Sequence, residues 1–318
     1  MNIALDMMGG DFAPLEAVKG LHFYFNGKND NSGVTIICIG DEARLSPVLS
    51  KHNLTSANIQ IIHAPEIIDY HESPTKALKE KPNSSISIGF HLLATGKVDA
   101  FVSAGNTGAM LVGSMFIIKP IKGVQRPTIA TLIPKVNGET CLLLDVGLNT
   151  DCKPQHLEQF AVLGSLYAQN ILNINKPRVA LLNIGEEEGK GDLLSQSAYP
   201  LLKNNNRIHF IGNTEGRHVL QNHSDVIVCD GFTGNVILKM LESFYDIAES
   251  RQLANDEYLR RFHYQNYGGT PVLGIAKPVI IGHGISNDKA FSKMISVAEK
   301  MVETNLCNSI KDAFHTPH

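Results

Sequence analysis

The chain has 318 residues, 43% of them hydrophobic and 19% charged, with a formal net charge of −3. That balance fits a globular protein with ample core and excludes a chain-wide basic footprint, so no nucleic-acid partner is expected. Cys38, Cys141, Cys152, Cys229 and Cys307 stand scattered without a CxxC pair, which points to reduced thiols and away from a disulfide framework.

The chain enters Asn2–Asp6 with no basic lead or long apolar run, and no later run approaches a membrane span. The expectation is a cytosolic protein whose membrane contact, where there is any, is peripheral. Ile3–Leu5 predicts a first strand, followed by a helix that Pro14 opens and that reaches about Gly20. Val34–Gly40 is a continuous apolar strand of the kind covered on both faces. Asp41 caps a helix to about Leu49, and Ile59–His63 is the third strand. Residues 65–83, punctuated by Pro65, Pro74 and Pro82, read as a polar loop with a short helix between Pro74 and Lys81. Ser84 or Ser85 caps a helix through Thr95, with Ile88, Leu92 and Leu93 facing inward and Gly96 ending it.

Ala100–Val102 is a strand, Ser103–Ala109 a small polar loop, and Met110–Phe116 a buried helix. Residues 117–140 predict a sheet edge or crossing segment, in which the Asn137-Gly138 turn joins two strands as a hairpin ending at Leu144. Pro154 begins a long helix to about Leu172. Arg178–Ile184, Ile208–Gly212 and Val226–Cys229 are strands; a helix with Leu193, Leu194, Ala198, Leu201 and Leu202 follows the first, and one reaching about Ala248 follows the last. Residues 249–270 read as polar and irregular, Pro278–Ile281 as the last strand, Asp288–Thr304 as the closing helix, and the tail after Cys307 as loose. Short apolar strands alternating with helices predict an α/β fold with a mostly parallel sheet covered by helices on both faces. With no clear linker, residues 1–318 read as one large α/β domain, or as two sublobes of it around a cleft.

Six loops share one grammar: Asp6–Asp11, Ser103–Gly108, Asp145–Asn149, Asn183–Gly191, Asp230–Asn235 and Gly282–Asn287. Each follows a strand and combines Gly with small polar residues. A tight βα turn explains any one of them. Because ligands of parallel sheets bind beyond the carboxyl ends of the strands, six together predict one shared crevice. A strand that re-enters a helix through such a loop points amides outward and favours an anion. The candidate binding residues are Asp6, Gly9, Gly10, Ser103, Gly105, Thr107, Gly108, Asn149, Asn183, Gly185, Gly191, Asn235 and Asn287, and the candidate catalytic residues are Asn106, Lys190 and His283. Lys190, between Gly189 and Gly191, could meet an anionic reactant or be a surface lysine. His283, flanked by glycines, could donate a proton or be a hydrogen-bonded structural histidine.

GxxxxGK[ST], a GxGxxG after the first strand, HExxH, a His/Cys zinc set and GxSxG are all missing from the sequence. No cofactor or metal is expected. Glu186–Glu188 could hold Mg²⁺ but reads more readily as a solvated loop.

The segments IALDMMGGDFAP (3–14), DAFVSAGNTGA (99–109), LLDVGLNTDCKP (143–154), RVALLNIGEEEGKG (178–191), VIVCDGFTGNVILK (226–239), YGGTPVLG (267–274) and PVIIGHGISN (278–287) closely resemble, in order, the phosphate acyltransferase PlsX family of bacterial phospholipid synthesis. The resemblance implies a fold like that of the isocitrate/isopropylmalate dehydrogenases and phosphotransacetylases. It implies transfer of a fatty acyl group from acyl carrier protein to inorganic phosphate, giving an acyl phosphate that a separate membrane acyltransferase passes to glycerol-3-phosphate. Homodimers and peripheral membrane contact are also implied. Phosphate is then the nucleophile, and the protein must hold it, stabilise an oxyanion and protonate a thiolate. Ser103, Asn106 and Thr107 are assigned to phosphate or the oxyanion, Lys190 to developing charge and His283 to the proton. Asn149, Asn183 and Asn235 are assigned to orienting reactants, and Asp6 to ordering its loop.

Met7 stands where the family usually has Ala, Gly282 where Ala is common, and Ile285 where Ser is usual, which removes a hydroxyl there. The segment between Lys239 and Tyr267 is short and polar where many members carry an apolar helical pair, so membrane contact is expected to be weak. Arg251, Arg260 and Arg261, or Lys76, Lys79 and Lys81, are candidate basic docks for the acidic carrier protein. A short-chain phosphotransacetylase using acyl-coenzyme A and a non-enzymatic ligand-binding regulator are the competing readings; a metal-dependent decarboxylating dehydrogenase fits less well.

Overall fold

The computed structural model describes residues 1–26, 33–54, 58–253 and 255–315. Its strands are β1 (Asn2–Asp6), β2 (Thr35–Gly40), β3 (Ile59–His63), β4 (Ala100–Ser103), β5 (Thr128–Pro134), β6 (Thr140–Leu144), β7 (Arg178–Asn183), β8 (His209–Glu215), β9 (Val226–Val228), β10 (Thr270–Leu273) and β11 (Val279–Ile281). Its helices are α1 (Leu15–Asn26), α2 (Glu42–Lys51), α3 (Pro74–Glu80), α4 (Ser85–Ala94), α5 (Thr107–Gly113), α6 (Pro154–Asn170), α7 (Leu193–Asn204), α8 (Gly231–Ser250), α9 (Asp288–Glu303) and α10 (Leu306–His315). No helix among the described residues is long and apolar enough to cross a membrane. The chain forms two compact units: Met1–Pro120 with Tyr264–Cys307, and Ile121–His263 with Asn308–His318.

In the first unit the strand order is β3-β2-β1-β4-β11-β10, parallel except for the β10–β11 pair. Ile3–Leu5 and Ala100–Val102 are wholly buried, residue after residue. Consecutive burial in a strand requires cover on both faces. Helices α4 and α9 both pack on β1 and β4, and the Phe90 ring of α4 meets Phe101 edge-on at 5.1 Å. Ser84 caps α4 by accepting from the Ser87 amide, and Asp41 caps α2 from the Ala43 amide. The inward stripe of α4 is Ile86, Phe90 and Leu93, with Leu92 also buried; Ile88 lies half-buried beside it.

The second unit has the order β5-β6-β9-β7-β8, with β5–β6 antiparallel and the rest parallel. The β5–β6 hairpin closes at Asn137-Gly138 as the sequence predicts, with Gly138 at φ 93°. Beneath it lies a charged knot. Lys135, 1% exposed, donates to Asp225 Oδ1 (3.1 Å) and Asn222 Oδ1 (3.0 Å). Arg178 donates to Asp225 Oδ2 through Nε (3.0 Å) and to Oδ1 through Nη2 (2.9 Å). Burial pushes the Asp225 carboxyl up, but Arg178 and Lys135 outweigh it and hold it at about 2.

Three expectations are corrected. The irregular stretch ends one residue early, at Gly269: Thr270 opens β10 (Thr270–Leu273), a strand the sequence does not predict, containing Pro271, ended by Gly274 and too short to show a period. The tail after Cys307 is not loose up to residue 315, because α10 occupies it; residues 316–318 lie outside those described. Leu306 and Ile310, four apart, are buried, and Arg207 donates to the Ala313 carbonyl at 3.0 Å. The helix expected over Met110–Phe116 starts earlier, at Thr107, and from Ser114 to Ile118 widens into a π turn. Within residues 249–270, residue 254 lies outside those described, and Leu259–Phe262 forms a 3₁₀ turn.

The charged knot sets a prediction. Asp225→Asn takes the shared carboxylate charge from buried Lys135 and from Arg178, so stability falls by about 3 kcal/mol, read as a lower urea midpoint at pH 7. The depressed carboxyl makes this contribution full above about pH 4 and lost as pH falls through about 2. The gap between wild type and variant therefore closes in acid.

Candidate functional site

The structure assigns three of the six loops to each unit. In the first unit they follow β1, β4 and β11, and Asp6 organises the first two. Its carboxylate is wholly buried. Oδ1 accepts from the amides of Met8 (2.9 Å) and Gly9 (3.0 Å), and Oδ2 from Ser103 Oγ (2.7 Å). Burial pushes this carboxyl up, and hydrogen bonds from Ser103, Ser85, Met8 and Gly9 pull against it. Ser103 Oγ in turn accepts from the Gly105 amide at 3.0 Å. The assignment of Asp6 to ordering its loop matches this geometry.

Ser103 and Asn106 are both engaged within the fold. Asn106 accepts from the Ala109 amide (2.8 Å), capping α5, and donates to the Asp69 carbonyl (2.7 Å). Both side chains hold the loop to the fold. Of the hydroxyl donors assigned to this loop, Thr107 is the exposed one; Gly108 follows it beside Pro74. Tyr70, not singled out in the sequence, donates to the Ala104 carbonyl at 2.9 Å. It joins Asp6, Gly9, Gly10, Ser85 and Gly105 around a cavity of about 140 Å³. The third loop ties to the first through the Asp11 amide, which donates to the Gly284 carbonyl at 2.8 Å. His283 is exposed, and its carbonyl accepts from Ser286 Oγ at 2.5 Å. Asn287 caps α9 by accepting from the Ala290 amide and donates to Gln265 Oε1 (2.7 Å).

The second unit repeats the device. Asp145, wholly buried after β6, accepts at Oδ2 from the amide (2.6 Å) and side chain (2.8 Å) of Asn149 and at Oδ1 from the Leu148 amide (3.2 Å). Burial raises this carboxyl too, against those donors. Asn149 also donates to the Pro127 carbonyl at 2.8 Å, and Asn235 to the Val146 carbonyl at 3.2 Å. Asp230, which opens one of the six loops but is given no role by the sequence, caps α8 by accepting from the Thr233 amide (2.9 Å) and hydroxyl (2.7 Å). The Asp-x-x-Thr spacing was its signal.

Asn183 shapes the remaining loop. It donates to the Lys190 carbonyl (3.0 Å) and accepts from the Ile184 amide (2.8 Å). Gly191, at φ 98°, packs so tightly on Asn183 that a Cβ there would overlap its Oδ1, while Gly185 is buried against the Lys190 stem. The Lys190 side chain is half exposed, and its ammonium stands 4.0 Å from Glu187. Asn183, Gly191, Asp192, Asp230 and Thr233 rim a cavity of about 330 Å³ whose interior is apolar. Of the basic residues considered as docks, Arg261 donates to the Lys135 and Glu139 carbonyls, and Lys81 pairs with Glu72.

Gly9 shows how closely two first-unit loops approach. A Cβ there would lie 2.5 Å from the Gly105 amide nitrogen and 2.6 Å from Asp6 Oδ2. Backbone cannot yield, so Gly9→Ala should destabilise by about 1–3 kcal/mol. Gly189→Ala, whose Cβ would meet nothing within 4 Å, should leave the thermal midpoint unchanged. Equal midpoints for the two variants would refute the packing argument.

Comparison with known proteins places the chain. The family model described as "Fatty acid synthesis protein" matches residues 1–309. A phosphate acyltransferase of Dictyoglomus turgidum is 40% identical, over 99% of this chain and 98% of its own. A phosphate acyltransferase of Aquifex aeolicus is 42% identical, over 96% and 94%. Among solved structures, a phosphotransacetylase from Streptococcus pyogenes matches with TM-score 0.66 at 18% identity, covering 95% of this chain and 94% of that one. A branched-chain phosphotransacylase from Enterococcus faecalis matches with TM-score 0.63 at 15% identity, covering 95% and 99%. These two share the α/β fold. The sequence matches go further: the chain belongs to the fatty acid synthesis protein family, as an acyltransferase of the phosphate acyltransferase PlsX type.

Proposed function

We propose that the protein transfers a fatty acyl group from acyl carrier protein to inorganic phosphate, giving an acyl phosphate for phospholipid synthesis. The observation that carries this reading is the Lys190 loop at the rim of an apolar cavity in the second unit. A loop that carries a lysine and borders a cavity with an aliphatic floor suits an acyl thioester meeting a phosphate. A phosphate oxygen attacks the thioester carbonyl carbon and forms a tetrahedral oxyanion. The C–S bond then breaks, and the departing thiolate takes a proton. No activated side-chain nucleophile and no cofactor enters this balance. Lys190 neutralises the charge gathering on the reacting oxygens.

His283 remains the proposed proton donor. Thr107 and the amides of its loop remain the proposed phosphate ligands, while Ser103, Asn106, Asn149, Asn183, Asn235 and Asn287 act by fixing loop backbone. A homodimer, docking of acyl carrier protein, hand-over to a membrane glycerol-3-phosphate acyltransferase and weak peripheral membrane contact complete the proposal. A short-chain phosphotransacetylase would use the same phosphate chemistry with acyl-coenzyme A.

Phosphate-dependent release of free carrier-protein thiol from a long-chain acyl donor tests the reading. Lys190→Ala should lower the rate at least tenfold, on the order of one lost charge-stabilising group. Its side chain is half exposed, so the thermal midpoint should stay put. A wild type that ignores long-chain acyl carrier protein and turns over acetyl-coenzyme A would overturn the proposal in favour of the second reading.

A further inference from the structure

We propose that the 330 Å³ cavity of the second unit holds the hydrocarbon chain of the acyl donor, and that Leu157 at its floor limits how long a chain fits. This rests on the acyl-transfer reading and adds to it a place for the chain and a residue that measures it.

The lining grades from apolar to polar along the depth. Leu157, Leu181 and Cys229 are nearly inaccessible and form the floor. Leu194 and Ile237, partly buried, form the walls. Polar groups gather at the rim, and each of three is already engaged. Asp192 caps α7 through the Ser195 amide (2.7 Å), Asp230 caps α8, and Asn183 bridges Ile184 and Lys190. A polar ligand entering the floor would exchange its water contacts for side chains that offer no hydrogen bond in return, which is costly. A hydrocarbon loses nothing there and gains burial.

The lip is apolar as well. Ile184, which lines the cavity, is 81% exposed, and Leu193, next to the lining residue Leu194, is 84% exposed. Exposed aliphatic residues at the mouth of an apolar hole extend the surface along which a chain can lie. The polar end of such a ligand then emerges at the Asn183–Gly191 loop, which carries Lys190. The volume sets a scale. One small heavy-atom group such as water occupies roughly 30 Å³ in the liquid, so the cavity of about 330 Å³ accepts on the order of ten carbons.

The test uses the purified full chain and carrier-protein donors bearing four-carbon and sixteen-carbon acyl groups. Leu157→Phe fills the floor, and Ile237→Phe narrows the wall at a partly exposed position that tolerates volume. In each variant the sixteen-carbon donor should lose kcat/KM relative to the four-carbon donor by at least about tenfold. Binding of dodecanoate, measured by calorimetry without turnover, should weaken by a similar factor. Should Leu157→Phe fail to fold, Ile237→Phe carries the comparison. An unchanged ratio of the two donors, or an unchanged dodecanoate affinity in a folded variant, overturns the assignment, as would a uniform loss pointing to the carrier's prosthetic arm in the cavity. If the wild type transfers no acyl group yet binds dodecanoate and loses it in Ile237→Phe, the acyl-transfer reading fails while the hydrocarbon site stands.

Discussion

A buried carboxylate at the end of a strand is the constraint on which each unit's loops depend. Asp6 and Asp145 are wholly buried, and they accept hydrogen bonds from backbone amides and uncharged side chains. Removing a carboxylate from water costs several kcal/mol unless donors replace the water. The donors here are loop amides, so the cost is offset only when the loop adopts one backbone path. Asp6 thereby fixes Met8 and Gly9, and Asp145 fixes Leu148 and Asn149. Burial raises both carboxyls against those donors, which records the same competition. Polar residues near the strand ends are then secondary in rank: Ser103 and Asn149 complete the carboxylate's set before they can serve a ligand.

That ranking explains what was legible in the sequence and what was not. Strands of Val, Ile and Leu bounded by Gly and Asp were readable because burial on both faces demands continuous apolar runs, as in Thr35–Gly40 and Arg178–Asn183. Caps were readable at Asp41 and Ser84, where local hydrogen bonding decides the outcome. Strand β10 was not, since antiparallel pairing with Val279–Ile281 gives it order that four residues with a proline cannot announce. Helix α10 is weakly signalled, because it buries few residues and Leu306 and Ile310, four apart, carry its inward face. Loop locations were legible through their glycines. The direction of each side chain was not: a sequence shows that Asn106 can donate and accept, but only packing shows that both capacities are turned toward Asp69 and Ala109.

The second unit separates two tasks that one residue could not perform. Its charged knot of Arg178, Lys135 and Asp225 lies where β7 and β9 begin, and its cavity lies toward their other ends. With Glu139 Oε2 3.0 Å from Lys135 Nζ, the knot sets two carboxylates against its two cations and imposes little field a strand's length away. Lys190 is different. Its contact with Glu187 is long and solvent-exposed, so little of its charge is neutralised and its side chain is not locked. Asn183 holds the backbone carbonyl of that same residue. The backbone of the residue is therefore held while its side chain stays half exposed. A half-exposed cation on a loop that borders a cavity with an aliphatic floor suits the proposed ligand, anionic at one end and hydrocarbon at the other. An acyl group being handed to phosphate becomes such a ligand as the reaction proceeds.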